Sequence, residues 1–185
     1  SKGKLATRDD VAREVRTLLA RPQKENPRIL RFFREYFAYT TAPDVFKEKN
    51  EDHNGQQLVI DTDNLVLRIL DRDRDVLKEL LSTNESYVAS GMAPHVRETA
   101  DKFKRGQVYR SYGLTAWPET QPQILPANER AGILTQPSWL VAMSGNFDNH
   151  PVQRGKWIRE KLLGGSVPPV PITVNAQVPD DPTHT

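Results

Sequence analysis

Asn26-Pro27-Arg28-Ile29-Leu30-Arg31-Phe32-Phe33-Arg34-Glu35-Tyr36-Phe37 is the stretch on which the fold class turns. Asn is a good helix N-cap, and Pro at the first helical position lacks only an N–H that would be unpaired there anyway. Ile29, Leu30, Phe32, Phe33, Tyr36 and Phe37 then recur at helical spacing and give a wide apolar face. A packed helix at the centre of the core is the reading that follows, because aromatic side chains usually bury themselves.

The same periodicity extends in both directions. Upstream, Thr7 is placed to cap a helix running to Ala20, with Asp9 and Asp10 facing the helix dipole and Val11, Val15, Leu18 and Leu19 on one side, before Pro22 stops it. Downstream, Lys49 to Gln57 reads as a polar loop, and Leu58 to Leu70 as a helix through Leu65, Val66, Ile69 and Leu70. Asp71-Arg72-Asp73-Arg74-Asp75 reads as an interhelical turn with Asp73 capping the next short helix, Val76 to Leu81. A calcium loop counted from Asp71 would need Gly sixth and Glu twelfth, where Val76 and Ser82 stand. Thr83 to Gly91 reads as turn or extended chain, and Pro94 to Phe103 as a short helix.

From Lys104 to Asn128 Gly and Pro break the pattern, with strand pairing expected around Val108 to Leu114. Order returns at Arg130 to Met143, where Pro137 fits a first helical turn. A further helix opens at His150-Pro151 with Val152, Trp157, Ile158, Leu162 and Leu163 on one side and ends at Gly164-Gly165. The expected fold is therefore mainly α. A helical domain covers 1–103, an irregular Pro/Gly-rich connection 104–128, a second helical module packed on the first 129–165, and an extended Pro-rich tail or linker 166–185.

The 185 residues carry 26 basic and 24 acidic side chains, a net charge of +2 with the signs interspersed. That lacks the concentrated positive surface phosphate binding needs, so no nucleic-acid partner is expected. No apolar run is long enough for a membrane span. The chain has no cysteine, which removes disulfides, thiolate metal sites, a Cys nucleophile and covalent haem attachment within it. His53, His95, His150 and His184 show no helical zinc spacing, and no glycine-rich nucleotide cradle or GxSxG elbow is present. Met143 and His150 could in principle supply axial haem ligands, and Ser138 and Ser144 have no local base. Glu51 with Asp52, Asp61 with Asp63, and the Asp71 to Asp75 run are assigned to helix ends, where capping favours acids. The constellation singled out for a ligand or partner is Arg130, Gln136, Asn146, Asn149, His150, Arg154, Lys156 and Trp157: polar groups on short turns between tryptophan-bearing segments. No catalytic residue and no metal ligand is assigned.

Arg130-Ala131-Gly132-Ile133-Leu134-Thr135-Gln136-Pro137-Ser138-Trp139-Leu140, followed by Pro151-Val152-Gln153-Arg154-Gly155-Lys156-Trp157-Ile158-Arg159-Glu160-Lys161-Leu162-Leu163-Gly164, resembles the pattern RAGLLTQ-S-L, a polar turn, SPVKRGKW-ENLLG and a proline run. That pattern belongs to a domain of unknown function in large modular proteins of planctomycetes and related bacteria. LLARPQ (18–23), RFFREYF (31–37) and LDRDRDVLKELLSTNESYV (70–88) resemble the helical domain that precedes it. The adjoining pair carries the numbers 1592 and 1588. Here the turn reads Ser144-Gly145-Asn146-Phe147-Asp148-Asn149-His150-Pro151 rather than TSNPTRTSP, and the proline run Val167-Pro168-Pro169-Val170-Pro171 is shorter. The resemblance implies an exported, extracytoplasmic protein of periplasm or cell surface, with c-type haem in adjoining domains or subunits and electron transfer as the setting. The partners implied are other domains of the same larger protein or a haem-bearing subunit. Three functions stay open: a non-catalytic packing or docking module, a redox or polysaccharide-directed enzyme domain with its site around 130–157, and a ligand-binding or scaffold module using Trp117, Trp139 or Trp157.

Overall fold

The computed structural model describes residues 7–19, 27–47 and 51–168, and the fold is mainly helical. Asn26, Pro22, His184 and the chain from Pro169 lie outside the described residues. Helix α1 spans Arg8–Leu19. It opens on a reciprocal cap: Asp10 N donates to Thr7 Oγ1 at 3.1 Å, and Thr7 N donates to Asp10 Oδ2 at 3.1 Å. Helix α2 spans Pro27–Phe37.

The central position expected for α2 is not observed. Phe37 alone in α2 is fully buried, and Phe32 is 58% exposed. The wide apolar face is real, and Phe32, Phe33, Tyr36 and Phe37 stack along it. Yet only its last turn reaches the core. Val11, Val15 and Leu18 of α1 are exposed as well.

The centre belongs to α3, Gly55–Arg72. Leu58, Thr62, Leu65, Val66 and Ile69 are wholly buried and Asp61 nearly so. The helix begins inside the stretch read as loop, because Asn54 caps it: its Oδ1 accepts from Gln57 N at 3.0 Å. The backbone turns at Ala38 into a 3₁₀ helix, Tyr39–Asp44, which lies on the start of α3. A Cβ at Gly55 would stand 2.7 Å from Pro43 Cα, so the missing side chain allows this approach.

Asp73, in the left-handed region at φ 46°, ends α3, and its N–H donates to Leu70 O. The residue before α4 (Val76–Ser82) is Asp75, also left-handed, and not Asp73 as expected. Asp tolerates that conformation better than most residues, which lets the chain turn twice in three residues.

Strand β1 (Glu85–Ser86) pairs antiparallel with β2 (Gln123–Ile124), Glu85 opposite Ile124 and Ser86 opposite Gln123. Helix α5 spans Pro94–Phe103, as expected, with Pro94 at its start. The strand pairing expected at Val108 to Leu114 is instead a 3₁₀ helix, Val108–Tyr112. The 104–128 segment is irregular in backbone but not peripheral. Val108, Tyr109, Tyr112 and Leu125 join Leu58 and Val88 in one apolar cluster. Gln121 extends the pairing by side chain, accepting from Val88 N at 3.1 Å and donating to Val88 O at 2.6 Å.

A 3₁₀ turn, Ile133–Thr135, leads to α6, Pro137–Ala142, with Pro137 first as expected. Ile133 and Trp139 are buried, and α6 packs on the Tyr39–Asp44 turn and on α3. The chain divides into two compact units, one through His150 and one from Pro151. Residue 129 lies inside the first. In the second unit α7, Pro151–Trp157, continues as a π-helix over Ile158–Leu162. Gly164 at φ 64° follows, and Gly165 N donates to Arg159 O. Val152 and Leu163 are exposed. Among the described residues no helix is long and apolar enough to cross a membrane.

Candidate functional site

Four consecutive polar residues, Asp61-Thr62-Asp63-Asn64, sit in the middle of α3. A carboxylate in such a place must be matched by donors, because burial strongly disfavours an uncompensated charge. Asp61 is matched fivefold. Oδ1 accepts from Ser90 N at 2.8 Å, Ser90 Oγ at 2.9 Å and Gln57 Nε2 at 3.0 Å. Oδ2 accepts from Ala89 N at 2.8 Å and Tyr112 OH at 2.9 Å. Two successive amides thus converge on one carboxylate and hold Ala89 in the left-handed region at φ 52°. Asp63 takes both arms of Arg34, with Nε to Oδ1 at 2.9 Å and Nη2 to Oδ2, and the Tyr39 hydroxyl at 2.7 Å. Burial, then the neighbouring carboxylate, pushes the Tyr39 and Tyr112 phenols well above their ordinary range, so both stay as donors. Neither Asp61 nor Asp63 caps a helix, which corrects the assignment made from sequence.

Three further carboxylates, Glu85, Asp101 and Asp52, also accept from donors within the fold. Glu85 receives Arg68 at 3.0 Å and Arg72 at 2.6 Å. Burial opposes its ionisation, but the hydrogen bonds from Arg72 and Arg68 outweigh burial and hold it below the usual carboxylate range. Asp101 accepts from Gln107 Nε2 at 2.7 Å and Trp117 Nε1 at 2.9 Å, and Asp52 from Gln107 N at 2.9 Å. Each of these carboxylates has its oxygens engaged by donors of the fold itself. Among the described residues no group of three or more His, Asp and Glu is placed to hold a metal ion.

The eight residues singled out from sequence are distributed as follows. Gln136 is buried, accepting from Ser86 Oγ at 2.8 Å and donating to Glu85 O at 3.3 Å. Arg130 donates to Thr135 O at 3.0 Å. Both serve the interior. Asn146, Asn149 and His150 lie on an exposed turn. That turn is pinned to the 45–47 segment: Phe46 N donates to Asn146 Oδ1 at 3.1 Å and Lys47 Nζ to Gly145 O at 2.5 Å. Met143, by contrast, is buried. Arg154, Lys156 and Trp157 belong to the second unit, where burial lowers the Arg154 pKa and Lys156 stands 4.0 Å from Glu160.

Beside the pinned turn, an open cleft of about 440 Å³ is lined by Phe46, Lys47, His53, Asn54 and Gln56. His53 is half-buried there, and burial, then the Lys47 charge, lowers its pKa from the ordinary 6.5. The unfolded chain therefore binds this proton at a pH where the fold does not, and stability falls as pH drops through 6.5 toward the lowered value. Glu85 acts in the same direction at lower pH: its contribution is present above the ordinary 4.5 and is lost as pH falls through its depressed value. Urea unfolding at about pH 7.5 and about pH 5.5 checks the first effect, since His is the side chain that titrates between them. A His53→Gln variant should lose most of the difference between the two and keep the acid limb set by Glu85.

Sequence reasoning named Asp61 and Asp63 but placed them at a helix end, and it missed Gln57, Tyr39 and Tyr112. One signal was available. Gln57, Asp61 and Leu65 recur four apart, beside Leu58, Thr62, Val66 and Ile69, so polar residues occupy positions on a stripe that is otherwise core.

Residues 1–96 match the family model described as Protein of unknown function (DUF1592), and residues 130–185 match that described as Protein of unknown function (DUF1588). No curated protein and no solved structure matches the chain.

Proposed function

The chain belongs to the DUF1592 family of proteins of unknown function, and on that premise we propose that it is a non-catalytic helical module that docks a c-type-haem-bearing part of a larger exported protein. The observation that carries the docking role is a set of exposed apolar side chains on the two N-terminal helices. Val11, Val15 and Leu18 of α1 and Phe32 of α2 are exposed at helical spacing, on helices that also bear Arg8, Arg16, Arg28 and Arg31. Exposed apolar residues in such a pattern mark surfaces that meet a partner. The non-catalytic half is supported by the buried carboxylates Asp61 and Asp63 and by Glu85, whose oxygens are held by arginine, tyrosine, amide and backbone donors. That the partner bears haem, and that the setting is extracytoplasmic electron transfer, comes from the family resemblance of residues 18–37, 70–88 and 130–164.

The test is a double substitution on the exposed face, Val15→Asp with Phe32→Asp, in the full-length protein. The substituted module should keep its own stability to within about 1 kcal/mol, because both positions are on the surface. The haem absorption bands, midpoint potential or thermal stability of the haem-bearing part should shift. Identical values with and without the substitutions would discard the docking role.

A further inference from the structure

The two family models part between residues 96 and 130, but the fold does not. The start of the second matched segment lies inside the first compact unit, against elements of the first matched segment. We infer that the walls formed by α3, the Tyr39–Lys47 segment and the Thr83–Ser86 strand entry are a recognition surface for one kind of occupant. That occupant is a segment of the DUF1588 type, here residues 132–146, and it is required whether it is supplied by the same chain or by another.

The contacts are those of a specific interface. Ser138 Oγ and Thr62 Oγ1 meet at 2.6 Å, and both residues are wholly buried. The Thr62 hydroxyl is also placed to donate to Leu58 O at 3.0 Å, so the serine can supply the proton shared between the two hydroxyls. Gln136 spans the strand entry with both ends of its amide, one to Ser86 Oγ and one to Glu85 O. Gly132 N donates to Thr83 O at 2.6 Å. At the far end Lys47 and Phe46 hold Gly145 and Asn146. Between these polar ends Ile133, Trp139 and Met143 are buried. An apolar centre inside a ring of matched donors and acceptors is how partner surfaces are built. Without the occupant, the first segment would expose Thr62, Ser86 and an apolar floor. The inference is independent of what covers the outer face of α1 and α2.

The full chain tests it. Pro126, Ala127, Asn128 and Glu129 form an exposed turn, so a protease site inserted there can be cut after the protein has folded. The two pieces should co-elute as one complex on size-exclusion chromatography, and labelled 129–185 piece should exchange into it after brief dilution into denaturant. In the Trp139→Ala variant the cut pieces should bind each other roughly a hundredfold more weakly, because a large buried side chain is lost. If uncut Trp139→Ala does not fold, Ser138→Ala takes its place, with an expected weakening of about tenfold for a lost buried hydrogen bond. Wild-type pieces that separate under native conditions overturn the inference. So do variant pieces that hold together as firmly as wild type.

Discussion

Asp61→Ala is expected to remove a large part of the protein's stability. The substitution strands two backbone amides, Ala89 N and Ser90 N, together with the Tyr112 hydroxyl, and leaves the Gln57 amide only its bond to Ser90 O. Each buried donor left without a partner costs about 1–3 kcal/mol, partly offset because a buried charge also disappears. A net loss of roughly 4 kcal/mol or more is expected, against a total of about 5–15 kcal/mol for a domain of this kind. Asp61→Asn keeps the shape but turns an NH₂ toward groups that donate, so it should lose about half as much. Urea titration followed by circular dichroism reads both. If Asp61→Ala unfolds within about 1 kcal/mol of wild type, the carboxylate is not the anchor described.

Gly132→Ala should be comparably severe, for a backbone reason. Gly132 sits at φ 64°, ψ −167°, a region essentially reserved for glycine. A Cβ there would lie 2.3 Å from the Leu81 carbonyl carbon and 2.4 Å from Leu80 O. These are backbone atoms at the end of α4 and have no rotamer by which to move aside. Relief would need the 130–135 segment to lift, which would break the Gly132 to Thr83 hydrogen bond. A loss of about 3 kcal/mol or more is expected. Gly155→Ala is the control: Gly155 is helical, and a Cβ there meets nothing within 4 Å. That substitution should raise stability by up to about 1 kcal/mol. Equal effects at the two positions, measured by thermal unfolding, would refute the backbone account.

What the residues revealed in advance was local. Thr7 with Asp10, Pro94 and Pro137 announce helix starts because capping depends on neighbours three or four positions away. The family resemblance was legible for a related reason, since RAGILTQPSWL is a contiguous run. The central place of α3 was hidden by its own polar residues. Asp61 and Asp63 lower its apparent apolarity, and their partners come from Arg34, Tyr39, Ala89, Ser90 and Tyr112, which no window on α3 includes. The opposite error was made at α2, whose apolar face says that something must cover it but not that this unit does so. Of the residues proposed for a ligand, Gln136 and Arg130 hydrogen-bond within the fold. Those contacts could be known only from Ser86, Glu85 and Thr135.

The distance in sequence between Thr62 and Ser138 has a consequence for how the protein is made. The two hydroxyls are 76 residues apart along the chain. At a synthesis rate of about 5–20 residues per second, α3 waits roughly 4–15 s for the residues that seal it. During that interval the nascent chain presents an apolar floor with open hydroxyls. Substitutions within 132–146 should therefore show their damage first as a poorer yield of soluble protein from the ribosome, before any difference appears in molecules that have already folded.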